Sequence, residues 1–222
     1  TDTFITTFIE RDLQNLFGVN FTNSVMRNFW TMLAHNNGSI WNAQYYARSL
    51  GITAPTINRY LDFLEGAFMV HKLPAFYFQA TKRVIKASKV YLRDTGILHR
   101  LLRITALDEL RGHPIIGLSW EGYVVEQIYQ LKHSNLEMYY YRTQDGAEAD
   151  VVLTKANNPV ACIEIKLSNS PVIAKGFYET MSDLKTKQNF VVVPQVDSYR
   201  KAQNVIVCGL SDFLLNHLPK IR

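Results

Sequence analysis

Two runs of alternating side chains, Glu148-Ala-Asp-Val-Val-Leu-Thr154 and Val160-Ala-Cys-Ile-Glu-Ile-Lys-Leu167, constrain this chain more than any other feature. Each alternates polar and apolar residues with period two, the pattern of a half-buried strand. Between them lies Lys155-Ala-Asn-Asn-Pro159, which is turn chemistry. The spacing predicts a hairpin centred on Asn157, with Asp150 opposite Glu164 and Glu148 opposite Lys166. All four then share one face, expected to be exposed, because residues i and i+2 point the same way on a strand. The other face is Ala149, Val151, Leu153, Ile163, Ile165 and Leu167, a continuous apolar surface. Two carboxylates facing each other at roughly 5 Å repel and weaken a sheet. Fold stability alone gives no reason for that pairing, whereas a divalent cation held between them, with a lysine beside it, supplies one. A solvated charged face with a weak Glu148–Lys166 pair is the other reading of the same pattern.

An acidic residue on one strand followed by Glu-x-Lys on the next resembles the PD-(D/E)xK, or restriction-endonuclease-like, nuclease fold, although Ala149 stands where the family name has proline. Taken in order, Trp120-Glu-Gly-Tyr-Val-Val-Glu126, Tyr141-Arg-Thr143, Glu148-Ala-Asp-Val-Val152 and Ile163-Glu-Ile-Lys166 are similar to the DUF4143 domain family. That domain forms the C-terminal part of bacterial and archaeal AAA-type ATPases. Thr7-Phe-Ile-Glu-Arg-Asp-Leu13, Leu73-Pro74 and Asp94-Thr-Gly96 resemble the stretch that follows the ATPase module in those proteins. The resemblance implies an upstream ATPase module in the full-length protein. It also implies a metal site in which the helix before the sheet contributes an acidic residue, and Glu121 matches that position. Many members of the wider fold have lost catalysis, so the resemblance fixes the fold and leaves activity open.

At 222 residues the chain is long enough for two small domains, and its 47% hydrophobic content is that of a soluble globular protein. No stretch approaches the ~18 apolar residues of a membrane span, and none reads as a secretory leader. The chain opens at Thr1 rather than Met, directly in helix-like sequence, and is expected to be part of a longer protein. Cys162 and Cys208 fall on separate expected strands, and without a cysteine framework a reducing cytoplasm is the expected compartment. The whole formal excess of +5 lies in residues 1–118, which suggests a polyanionic partner for the first half.

The first half is expected to be a mostly helical winged-helix domain over residues 1–111. Residues 3–17 and 22–35 have helical periodicity. Asn42 to Leu50, a turn at Gly51-Ile52-Thr53, and Ala54 to Ala67 with Pro55 in the first turn read as helix, turn, helix. Residues 68–73 and 88–93 read as short strands around a basic loop containing Lys82, Arg83, Lys86 and Lys89. If this module binds DNA, the 54–65 helix is its recognition helix, with Thr56 and Arg59 at bases or phosphates. Lys82, Arg83 and Lys86 would then contact the backbone as a wing. Asp62 and Glu65 on the same helix oppose phosphate, and winged helices also serve as protein-contact modules.

Residues 112–222 are expected to form a mixed α/β domain with a restriction-endonuclease-like sheet. The 103–114 region reads as a linker. A helix is expected from Ser119, as N-cap, to about His133, with Trp120, Val124, Ile128 and Leu131 buried. Strands at 137–143, 189–194 and 204–208 and helices at 173–186 and 210–217 complete the alternation.

There is no Gly-x4-Gly-Lys-Ser/Thr, so ATP binding by this chain alone is not expected. No Cys-x2-Cys pair or histidine spacing suggests zinc. The nuclease reading assigns Asp150 and Glu164 as Mg2+ or Mn2+ ligands, Glu121 as a third, and Lys166 to orient hydroxide or stabilise the transition state. A catalytically silent DNA-binding or regulatory module of the ATPase is the alternative, and a protein-interaction module without a nucleic-acid role is a third. Oligomeric state is not legible.

Overall fold

In the computed structural model, residues 2–77, 84–201 and 204–221 are described, and they form a mixed α/β protein whose chain divides into two units. The first comprises Thr1–Lys72 and Lys89–Gly122, the second Leu73–Ser88 and Tyr123–Arg222.

The first unit is helical at its start: α1 (Asp2–Thr7), a π-helical turn (Phe8–Asp12) and α2 (Leu13–Phe17), which Gly18 ends at φ 60°. α3 (Asn23–His35) buries Met26, Phe29, Trp30, Leu33 and Ala34, the stripe that a 3.6-residue period puts on one side. β1 (Ser39–Ile40) follows. Asn42 then caps α4 (Ala43–Leu50), accepting from the amides of Gln44 and Tyr45. Gly51 at φ 66° makes the turn, where a side chain would be strained. Thr53 caps α5 (Ala54–Gly66), its hydroxyl accepting from the Thr56 amide. β2 (Val70–Leu73) and β3 (Lys89–Leu92) complete a three-stranded sheet in the order β1-β3-β2. α6 (Thr95–Leu101) is capped by Asp94, and α7 (Leu107–Gly112) occupies part of the expected linker. α7 buries no side chain, so the sequence offered no apolar stripe by which to see it.

α8 (Ile116–Leu131) runs across the division of the units at Gly122 and Tyr123. It begins three residues before the expected start. Ser119 is therefore no N-cap; its amide donates to the Ile115 carbonyl and its buried hydroxyl lies 2.7 Å from His99 Nε2. Leu131 is exposed rather than part of the buried stripe.

The second unit is built on β4 (Glu137–Arg142), β5 (Glu148–Lys155), β6 (Asn158–Ile165), α9 (Lys175–Leu184), β7 (Gln188–Val193), β8 (Tyr199–Lys201) and β9 (Val205–Gly209). A short α10 (Leu210–Asp212) continues as a π-helical turn (Phe213–His217) and a 3-10 turn (Leu218–Lys220). The six strands lie in the order β4-β5-β6-β7-β9-β8. β4, β5 and β6 form an antiparallel meander, β6, β7 and β9 are parallel, and β8 is antiparallel to β9.

The connection between β2 and β3, expected as a wing of the first domain, belongs to the second unit instead. Ala75 bridges Tyr140 and Val84 bridges Thr143. Phe76 donates to the Tyr140 carbonyl at 2.7 Å and Ile85 to that of Arg142 at 3.0 Å. β4 is the edge of the six-stranded sheet, and these contacts satisfy backbone groups that the edge would otherwise leave unpaired. Lys82 and Arg83 lie outside the described residues.

Candidate functional site

The turn between β5 and β6 is the two residues Ala156 and Asn157, both at positive φ (49° and 63°). That tight turn pairs Lys155 with Asn158 and Thr154 with Pro159. A bulge then shifts the register, so Leu153 pairs with Ala161 and Val151 with Ile163. One step further along the same register, Asp150 comes opposite Glu164. The expected opposition holds, through a two-residue turn plus one bulge residue on β6 rather than through a turn centred on Asn157.

The expected exposure does not hold. Asp150 is 7% exposed and Glu164 5%. Val152 and Cys162, on the Asp150–Glu164 side by alternation, belong to a core with Phe177 and Met181 of α9. The sheet is therefore covered on both sides along most of its central strands. The apolar Val152 and Cys162 on the supposedly charged face were the signal in the sequence that this face is buried.

Asp150 also does more than face Glu164. β4 and β5 slip register between Tyr139 and Tyr141, which disturbs β5 next to Asp150. On the other side, the Ile165 amide donates to Asp150 Oδ2 at 2.9 Å. The carboxylate stands in for a backbone acceptor where the ladder breaks, and the aspartate is held in place by that bond.

Lys166 Nζ lies 2.6 Å from Glu164 Oε1. Glu148 is paired with Arg142, opposite it on β4, at 3.6 Å. Burial pushes the Glu164 carboxyl up to about 7, and the charge on Asp150 adds to the rise. Lys166 pulls the other way without cancelling these effects. Near neutral pH Glu164 is therefore held between its charged and neutral forms by burial and the charge on Asp150 against Lys166.

Glu121 is held inside the first unit. Lys89 Nζ donates to its Oε1 at 3.2 Å and the Tyr91 hydroxyl donates to the same atom at 2.5 Å. Lys89, expected in the basic loop, is on β3 and 5% exposed. Period two in Lys89–Leu92 does not predict its burial, and the carboxylate arriving from α8 offsets part of its cost. Among the described residues, no group of three or more His, Cys, Asp or Glu side chains is placed to hold a metal ion. Asp150 and Glu164 face each other as hard oxygen donors, and Mg2+ is commonly bound by one or two carboxylates with waters and phosphate oxygens. Asp150 and Glu164 fit that smaller set.

The residues expected at nucleic acid are divided. Thr56 and Arg59 are on α5 in the first unit. The Thr56 hydroxyl is 2.9 Å from that of Thr53, and exposed Arg59 lies 5.3 Å over the ring of Phe63. Lys72 binds both Asp62, at 2.9 Å, and Glu65, at 2.5 Å. Lys86 is exposed in the second unit, 5.5 Å from the centroid of Tyr77.

Comparison with known proteins agrees with the motif order. Residues 116–213 match the family model described as Domain of unknown function (DUF4143). The resemblance to DUF4143 therefore holds over the C-terminal half. Residues 1–108 match a different model, Domain of unknown function (DUF8612), which narrows the DUF4143 resemblance to the part after Ile115. The uncharacterized proteins Rv2008c of Mycobacterium tuberculosis and Mb2031c of Mycobacterium bovis are each 38% identical over 213 residues, 96% of this chain. The chain spans about half, 48%, of the length of these relatives. A chain in the refined half-complex of Thermococcus gammatolerans McrB AAA+ hexamers with bound McrC is 8% identical, covering 83% of this chain and 70% of that one. Its TM-score is 0.33, and a likeness that low carries no argument. No described helix is long and apolar enough to cross a membrane.

Proposed function

We propose that this chain is the C-terminal part of an AAA-type ATPase, carrying a divalent-metal-dependent phosphodiester site of the restriction-endonuclease type that acts on DNA. The observation that carries the reading is the convergence of buried Asp150 and Glu164 with Lys166, at the cost of a carboxyl raised to about 7. The order of elements supports it: helix α8, the strand β4, the strand β5 bearing the aspartate, then β6 bearing Glu164 with Lys166 directly after it. Asp150 and Glu164 would hold Mg2+ or Mn2+, and the ion when bound would activate a water and neutralise phosphate charge. Lys166, released from Glu164, would sit beside the attacked phosphate and stabilise its added charge. Glu121, proposed as a third ligand, would have to share its carboxylate with Lys89 and Tyr91.

The first unit is proposed as a winged helix that binds duplex DNA with little sequence preference. The α4–turn–α5 pair with the β1-β3-β2 sheet supports this reading. Arg59 and Thr56 would contact the duplex, and Lys86, which lies in the second unit, is a separate candidate for a phosphate contact. Lys72 offsets the carboxylates of Asp62 and Glu65 that would otherwise repel phosphate. Two buried free thiols, Cys162 and Cys208, suit a reducing cytoplasm.

A catalytically silent, regulatory module is the second reading. The closed Lys166–Glu164 pair and the Ile165 bond to Asp150 favour it, since both occupy the groups that chemistry would need. Incubation with plasmid and oligonucleotide DNA in Mn2+ or Mg2+ separates the two. The nuclease reading expects cleavage that disappears in Asp150→Ala and Lys166→Ala while DNA binding persists. No cleavage with any divalent metal, in a folded chain, leaves the silent module.

A further inference from the structure

We propose that a cavity in the first unit, distinct from both α5 and the carboxylate pair, binds a phosphate dianion on a small molecule. The cavity has a volume of about 560 Å3 and is lined by Arg27 and Thr31 of α3, Arg100 of α6, and Arg103 just beyond α6. That size falls in the range of small-ligand sites. Buried Ile5 and Leu101 give it an apolar floor, on which the rest of such a molecule can rest.

Its charge is unbalanced. Three guanidinium groups line the cavity against a single carboxylate, Asp2, which is bound to Arg100. Arg27 donates to the Thr6 hydroxyl at 2.8 Å, a neutral partner that fixes its direction and leaves its charge uncompensated. Among the described residues Arg103 has no carboxylate partner. Two net positive charges therefore face one space. A phosphate monoester carries about −1.5 to −2 at neutral pH, which matches them, and planar guanidinium forks suit its oxygens.

The backbone adds an independent observation. Arg103 sits at φ 61°, where its amide returns to the Arg100 carbonyl at 3.0 Å and that of Ile104 to His99 at 2.9 Å. This is the left-handed position that closes a helix, which glycine or asparagine fills at lower cost. Arginine holds the position here, as Lys185 does after α9, and this turn places the Arg103 side chain at the cavity.

Calorimetric titration of the chain with inorganic pyrophosphate, at fixed ionic strength, tests the proposal. Saturable one-site binding is expected. Arg103→Gly keeps the left-handed turn and removes the side chain, so it should fold at least as well as the parent chain and bind at least ~10-fold more weakly. Arg27→Gln should weaken binding to a similar degree, while Lys155→Gln, in the exposed turn of the β5–β6 hairpin, should not. Absence of saturable heat overturns the proposal, as does wild-type affinity in both arginine variants. Equal affinity for succinate overturns the phosphate assignment, and displacement of pyrophosphate by a short duplex lacking terminal phosphates overturns the small-molecule one.

Discussion

Lys166 and Glu164 stand two residues apart at the end of β6 and close an ion pair of 2.6 Å over a carboxyl that burial and Asp150 nevertheless raise to about 7. The lysine is thus both the partner that keeps Glu164 partly charged and the group that a phosphodiester would have to take from it. Each of the first two predictions separates those roles.

Glu164 should make stability fall with rising pH. Its ordinary value is 4.5 and its folded value about 7, so between the two the folded chain holds a proton that the unfolded chain has lost. The sign is therefore opposite to that of a salt-bridged carboxylate: the stabilising contribution is complete below the unfolded value and lost as pH rises through the folded one. The upper limit of the effect is roughly 3 kcal/mol. In chelator, urea unfolding at about pH 5 and about pH 8 should show a larger loss for the parent chain than for Glu164→Gln. Equal losses would mean that the carboxyl is ionised throughout.

Asp150→Asn and Lys166→Ala should move Glu164 in opposite directions. The amide oxygen of asparagine can still accept from the Ile165 amide, so the bond at the broken ladder persists while the like charge is gone. The Glu164 carboxyl should then titrate below about 7, whereas loss of Lys166 should raise it further. Carboxyl-carbon NMR titration reads both shifts. No movement in either variant would show that Glu164 answers to burial alone.

Much of this site was legible in the residues. Period two placed β5 and β6, and the Asn157-centred register found the Asp150–Glu164 opposition, although a turn at Ala156-Asn157 and one bulge residue on β6 produce that register together. The helix–turn–helix was legible because Gly51, Thr53 and Pro55 each have a local mechanism. What was not legible is long-range: α9 covering Val152 and Cys162, Ala75 and Val84 bridging to β4 and Thr143 just beyond it, and Lys89 meeting Glu121. None of these leaves a period in the local sequence. The place of Glu121 in a motif says nothing about the cation it meets on β3.

Gly176 should not tolerate a side chain. A Cβ there would lie 2.2 Å from the carbonyl oxygen of Gly146, a backbone atom that cannot swing away. Gly176→Ala should therefore force α9 off the Asp145–Gly146 turn and cost on the order of 3 kcal/mol, read from the urea midpoint. Gly146→Ala offers the contrast, since Gly146 has φ +95° but nothing within 4 Å of the added carbon. Its cost should be limited to backbone strain of about 1–2 kcal/mol. A smaller loss in Gly176→Ala than in Gly146→Ala would contradict the close approach.

Glu121 decides whether the acidic position before the sheet serves folding or chemistry. Its carboxylate, 14% exposed at the side chain, binds Lys89, 6% exposed, and the hydroxyl of Tyr91. Removing it takes a counter-charge from a buried ammonium, and breaking a buried pair from one side costs about 3–5 kcal/mol. Glu121→Ala should thus lower the unfolding midpoint sharply. The double variant Lys89→Met with Glu121→Leu should recover much of that loss, because a buried pair exchanged for apolar groups is often nearly neutral. In the recovered double variant, the titration of Glu164 and any metal-dependent cleavage should match the parent chain. Normal folding with cleavage abolished would return Glu121 to the metal site and remove it from the structural role assigned to it.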